Sequence, residues 1–211
     1  MLLRGESRRL LEMPDLFTIP LSNEGPTPCW PIIIIMNNRK TNQFGWLEYM
    51  GVMRHQDPLL CIISQTAFYL FFRWQIVQEP VPQFQNRQRW YDFHLLKGRD
   101  AKKPLLYEIQ LKWTGEVFKS IGLSSYKKTH LGWSQGAKQA EMDGVEEGQI
   151  RRAGRWNQDA LTNYYLSHLP RKFLCIMAGF SPEATGNYYL PWAKILPPES
   201  LRKALWLWVD Q

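Results

Sequence analysis

Cysteine is scarce in this 211-residue chain. Cys29, Cys61 and Cys175 are odd in number and far apart, and no C-x-x-C or Cys/His ligand spacing accompanies them. That argues against a disulfide framework and a zinc site, so no metal is expected, and it favours a reducing compartment, cytosol or nucleus. Long apolar runs are missing too. The most apolar stretch, 59–74, is broken by Ser64, Gln65 and Thr66 and carries Arg73 near its end. It falls short of the roughly 20 residues a membrane-spanning helix needs, so it reads as a buried helix and no membrane partner is expected. Arg4, Glu6, Arg8 and Arg9 interrupt any apolar segment at the start, so no secretory signal is expected there. Internal repeats are lacking. Acid is short relative to base: 19 Asp and Glu face 26 Lys and Arg, a net charge of +7. That balance favours polyanionic partners.

The remaining composition suits one globular domain, or one and a fraction, with length for a real core. Apolar residues make up 45% and charged residues 21%, so disorder is not the expectation. Ten tryptophans are many; at that density aromatics mean core, and DNA-facing domains also use them for stacking. The chain is organised around the stretch 129–166. Two helices are predicted there, joined at Gly144, with a Gly154-Arg155-Trp156 corner after them. Both glycines suit the left-handed position beyond a helix end. Asn157 can cap a following helix, with Ala160, Leu161, Tyr164, Tyr165 and Leu169 at helical spacing. The helix–glycine–helix over 135–153 also has the outline of a helix-turn-helix, a weak signal by itself.

Elsewhere the pattern is mixed. A Leu- and Arg-rich helical fragment occupies 1–11, and a proline-containing loop 15–31. The β-branched run 32–36 and the apolar run 45–54 read as strands, with a hairpin-like turn over 37–42 that holds Arg39 and Lys40. Asp57-Pro58 is a helix start, for a helix reaching about Val77 that is apolar on most sides and therefore central. A linker occupies 79–85. Then Arg87, Arg89, Lys97, Arg99, Lys102 and Lys103 alternate with Trp90, Tyr91 and Phe93. Cations among aromatics can track a phosphate backbone, and such runs are as often simply solvated. His94 lies among them without a ligand partner and reads as a structural or surface histidine. A helix over 104–118 should dock its Leu105, Ile109 and Trp113 face on the core. Short helices over 171–180 and 198–209 end the chain, the last with an apolar stripe at Leu201, Ala204, Leu205 and Trp208. That stripe suits docking on this domain or on a partner.

Order and spacing then carry more than any single residue. His130, Trp156 and Tyr165 stand in sequence, with Tyr165 nine residues beyond Trp156 and Arg4 far upstream in Leu2-Leu3-Arg4-Gly5-Glu6. This set resembles the catalytic domain of tyrosine recombinases and integrases, whose pattern is an early Arg, then His-x-x-Arg, then Gly-(His/Trp), then Tyr nine residues on. The wording over 150–173 is closest to a fungal branch. That branch holds Crypton-type mobile-element recombinases and the recombinase-like DNA-binding domain of the budding-yeast centromere-binding complex. The resemblance implies a mainly α (α+β) fold, a DNA breaking-rejoining domain with a small antiparallel hairpin or sheet near its N-terminus. It implies double-stranded DNA as partner, the nucleus as location and no cofactor. It maps Arg4, Lys40, His130, Trp156 and Tyr165 onto catalytic positions, Lys40 from a hairpin beside the scissile phosphate. Arg39, Lys40, Arg87, Arg89, Lys97, Arg99, Lys102, Lys103, Lys127, Lys128 and Arg155 make up the expected DNA-contact set. The family places further helices and a clamp domain before Arg4, so the chain is expected to be an N-terminally truncated single domain over 1–211, with 181–211 as a C-terminal extension and its last helix as a candidate surface for a homo-oligomer.

One position departs from the pattern. Three residues after His130 stands Trp133, where a recombinase has its second arginine. In that family a tyrosine hydroxyl attacks phosphorus, and two arginine forks hold the charge that gathers on the non-bridging oxygens. An indole N–H is one neutral donor and cannot stand in for a guanidinium. Losing one preorganised donor costs about 10²–10³ in rate, and losing a charge costs more. Lys138, two helical turns beyond His130, is too distant to substitute. The expectation is a DNA-binding domain without efficient strand transfer. The alternatives are a Crypton-type recombinase working through a phosphotyrosine, with the clamp restored by another residue, and a relic whose product merely folds.

Overall fold

The computed structural model describes residues 3–36, 48–154, 169–181 and 186–205. Its architecture is mixed helical with one small antiparallel sheet. A short helix α1 (Gly5–Arg9) leads into a single 3-10 turn, Met13–Asp15, and then strand β1 (Leu16–Thr18). Strands β2 (Ile32–Met36) and β3 (Glu48–Val52) complete the sheet in the order β1-β2-β3. The register pairs Leu16 with Ile34 on one side and Ile34 with Met50 on the other. Central β2 is apolar at every position because it is covered on both faces, with Ile33, Ile34 and Met36 all buried.

Strand β1 falls within the stretch read from sequence as loop. Its three residues are largely uncovered, so they lack a burial pattern, and only the neighbouring β2 edge makes them a strand. The two predicted strands are both present and antiparallel, while the turn between them, with Arg39 and Lys40, lies outside the described residues.

Beyond the sheet come α2 (Ile62–Phe71), α3 (Tyr107–Ser120), α4 (Leu131–Met142), α5 (Glu147–Gly154), α6 (Arg171–Met177) and α7 (Glu199–Leu205). The core joins the sheet to α4, α5 and α6 through Met36, Met50, Ala137, Ala140, Val145, Ile150, Phe173 and Leu174. Alanines at 137 and 140 let α4 approach its neighbours closely, and Gly144 turns the chain from α4 into α5 at a φ of 79°. The predicted helix pair and its glycine joint are as the sequence reads. Tyr188 and Leu190 are also core residues, 2% and 1% exposed. Asn157 and the helix expected to carry Tyr165, both beyond Gly154, lie outside the described residues.

Two helix readings are corrected. The apolar stretch forms α2, but it starts at Ile62 rather than Pro58, since Asp57 Oδ1 accepts from Leu59 N in a tight turn. It is not buried: none of its ten residues is, and Phe68 is 66% exposed. After Phe71 the helix widens into one π turn, Phe72–Ile76, which carries Arg73 and Trp74 inward. Arg73 then binds Glu79 through Nη2 at 2.6 Å and Nε at 3.0 Å, and the carbonyls of His94 and Leu95 at 2.9 Å each. The interior of this part is thus organised by a buried ion pair, and the apolar ridge of α2 is left outside. The second correction concerns α3, which buries no residue; Leu105 before it is buried, Ile109 is half-covered, and Trp113 is 54% exposed. Apolar spacing in both helices marks a face without saying what covers it.

Candidate nucleic-acid interface

Helix α1 is where Arg4, Lys127, Lys128 and His130 of the candidate residues draw together. Arg4 is its N-cap, in extended conformation, and Arg8 N donates to Arg4 O, closing the first turn. Helix α1 ends in two adjacent cations, Arg8 and Arg9. The chain after it is tied to the basic loop by Met13 N to Phe93 O and Leu95 N to Leu11 O, at 2.7 and 2.9 Å. Arg9 reaches the other way: Nη1 donates to Gln110 Oε1 on α3 at 2.7 Å, with the guanidinium over the Tyr107 ring.

On its third side α1 packs against the lead into α4. Arg8 Nη2 donates to Thr129 O at 3.2 Å. A Cβ added at Gly5 would lie 3.6 Å from the Thr129 Cβ, so the residue after Arg4 and the residue before His130 stand close together. His130 is the N-cap of α4, exposed and without a side-chain cap bond. Trp133 falls in the first turn of that helix. Lys127 is exposed, while half-buried Lys128 lies over α3, its Nζ 3.1 Å from where a Gly115 Cβ would stand. Arg4, Arg8, Arg9, Lys127, Lys128 and His130 therefore share one junction of α1, α3 and α4. Burial, and then the charge of Arg9, push the pKa of Arg8 below its ordinary value.

The bond between Arg8 and Thr129, 121 residues apart in sequence, lies where Arg4 and His130 come into one neighbourhood. Lys40, Trp156 and Tyr165, with Arg39 and Arg155, lie outside the described residues. Arg8 and Arg9 were absent from the expected set. Their signal was legible, since Arg8 is four residues after Arg4 in a helical fragment and so one turn away.

The basic loop behaves differently from a bare phosphate track. Lys97 Nζ is 2.7 Å from Glu79, Lys102 Nζ is 2.8 Å from Asp92, and Lys103 Nζ is 3.9 Å from Asp100. The Lys102 hydrogen bond holds the Asp92 carboxyl below its usual range. Arg87, Arg89 and Arg99 are exposed, Arg89 bonding Gln83 Oε1. The interleaved aromatics pack on one another: Trp90 meets Phe84 at 5.2 Å between ring centroids and donates from Nε1 to Phe84 O at 3.0 Å. His94 is buried, as a structural histidine would be, and forms an antiparallel bridge with Glu12. No group of three or more metal-ligating side chains occurs among the described residues. No described helix is long and apolar enough to cross a membrane.

The family model for the centromere DNA-binding protein complex CBF3 subunit, domain 2, matches residues 1–211. No curated protein matches the chain.

Proposed function

The chain belongs to the family of domain 2 of the centromere DNA-binding protein complex CBF3 subunit, and from that premise we propose that it is a nuclear, duplex-DNA-binding domain of tyrosine-recombinase-like architecture that has lost efficient strand transfer. The observation that carries this reading is the cationic junction of α1, α3 and α4, where Arg4, Arg8, Arg9, Lys127, Lys128 and His130 meet. Arg8 and Arg9, adjacent within it, repel each other, and an anion laid across the junction relieves that repulsion. A duplex offers one negative charge per about 1.7 Å of its axis, and each phosphate neutralised by Lys or Arg releases condensed counterions. Contacts of this type set the register of a protein on DNA without reading bases.

Catalysis asks for more than binding. The attack of a tyrosine oxygen on phosphorus concentrates charge on the non-bridging oxygens, and a second arginine would hold it. Trp133 takes that position, so the proposed domain grips the backbone and leaves it intact. The C-terminal helix α7, with Leu201 47% exposed, is the proposed contact for a second copy.

The test is a mobility assay on a nicked duplex with a denaturing lane for covalent adducts. The parent should shift the duplex at low salt and leave no adduct. Trp133→Arg should yield an adduct, and the double change Trp133→Arg with Tyr165→Phe should abolish it, since Phe has no attacking hydroxyl. An adduct formed by the parent through Tyr165 would replace this reading with that of a Crypton-type recombinase. Absence of any shift would remove DNA binding from the account.

A further inference from the structure

We propose that Arg8 supplies the second guanidinium of the phosphate grip, taking over from α1 the charge that position 133 no longer provides; the proposal rests on the DNA-binding reading above. Arg8 is half-buried and has no carboxylate partner among the described residues. Of its three guanidinium nitrogens, Nη2 is bound to Thr129 O, and Nε is enclosed without a hydrogen-bond partner. Nη1 remains to meet a ligand. The Thr129 carbonyl fixes the plane of the group, so the side chain is oriented before anything binds.

The same chain treats another enclosed arginine in the opposite way. Arg73, 1% exposed, is held by both oxygens of Glu79 and by two carbonyls. A guanidinium taken out of water without a counter-ion is costly, and Arg9 next to it adds like-charge repulsion. An external anion removes both costs. Burial and Arg9 already press against the charged state of Arg8, as its lowered pKa records. A phosphodiester oxygen suits the position, because Arg4 stands one helical turn before Arg8 and the lead into His130 runs alongside. Two arginines one turn apart can bracket one phosphate, the task that a recombinase divides between its early arginine and the one after its histidine.

The role separates cleanly from a structural one. An arginine that holds the fold together lowers the melting temperature when removed. An uncompensated cation kept for a ligand does the reverse, so Arg8→Gln should leave the melting temperature unchanged or raise it. The experiment is fluorescence anisotropy of the full chain on a mixed-sequence duplex over a salt series, with thermal melts of the same samples. Arg8→Gln should weaken binding roughly tenfold or more and reduce the slope of log K against log salt by about 0.9. Arg8→Lys should keep the slope and lose part of the affinity, because an ammonium keeps the charge and not the fork. Arg151→Gln, which removes an exposed cation paired with Glu147 on α5, should change neither. Parent-like slope and affinity in Arg8→Gln, or a weakening that tracks a falling melting temperature, would overturn the role of Arg8 while leaving DNA binding intact. A parent that fails to bind the duplex would overturn both.

Discussion

Glu79 is 9% exposed and answers two cations, Arg73 at 2.6 Å and Lys97 at 2.7 Å. Burial opposes ionisation of its carboxyl, but the hydrogen bonds and charges of Arg73 and Lys97 outweigh burial and hold its pKa below the ordinary 4.5. A carboxyl whose pKa is lower folded than unfolded stabilises the fold at pH above its unfolded value, and that contribution is lost as pH falls through the folded one. The chain should therefore lose stability on acidification below about pH 4.5, the ordinary carboxyl value. Glu79→Gln should flatten that acid limb in urea melts taken across pH. At neutral pH the same change leaves Arg73 buried beside a neutral amide, and should cost about 3 kcal/mol. A neutral-pH cost under about 1 kcal/mol would show that the pair is not what holds the π turn inward.

At the scale of elements, α2 is the clearest case of a face left without a cover among the described residues. Phe68, Phe72 and Ile76 recur every four residues along one ridge and are 66%, 52% and 60% exposed. The helix is fixed instead from its other side, by Arg73 and Trp74 and by the edge contact of Trp74 with Phe84. Truncating exposed side chains disturbs little packing. The double change Phe68→Gln and Phe72→Gln should thus move the unfolding free energy by less than about 1 kcal/mol and raise the concentration at which the chain precipitates. A drop of several kcal/mol in chemical denaturation would mean that the ridge is covered in solution. Helix α4 shows the contrasting design, with Ala140 fully buried between α5 and α6 and its N-terminus turned to the charged junction.

For the whole molecule, the net charge of +7 matters less than its distribution. Three lysines of the basic loop already face carboxylates, whereas Arg8 and Arg9 stand side by side at the end of α1 and bind Thr129 O and Gln110 Oε1. Neutralising a phosphate with Lys102 or Lys103 requires breaking an existing pair, and surface pairs are weak, so the gain is reduced rather than abolished. Replacing Arg87 and Arg99 together by Ala should reduce the salt slope of duplex binding by about 0.9 per phosphate no longer neutralised, and Lys102→Ala with Lys103→Ala should reduce it less. Equal slopes for the two double variants, measured by anisotropy, would show that the loop ion pairs do not compete with DNA.

The sheet's centre, the helix pair and the centromere-binding part of the family reading are legible in the order of residues alone. Five consecutive apolar residues at 32–36 have no place except between covering layers, and a glycine at 144 leading into a helical pattern marks a joint wherever the helices go. The spacing of His130, Trp156 and Tyr165 is a linear property, so it too can be read without coordinates. Which apolar faces are covered, that β1 is a strand, and which cations share a junction were settled by the folded arrangement. Those outcomes depend on contacts between distant segments. The periodicity of α2 or α3 fixes an apolar side, but burial needs a second surface, and for α2 the interior place goes to Arg73 because Glu79 and two carbonyls satisfy it. Likewise nothing local to Arg8 announces Thr129, 121 residues away; folding brings them together, and that contact sets a Leu- and Arg-rich opening beside the lead into α4.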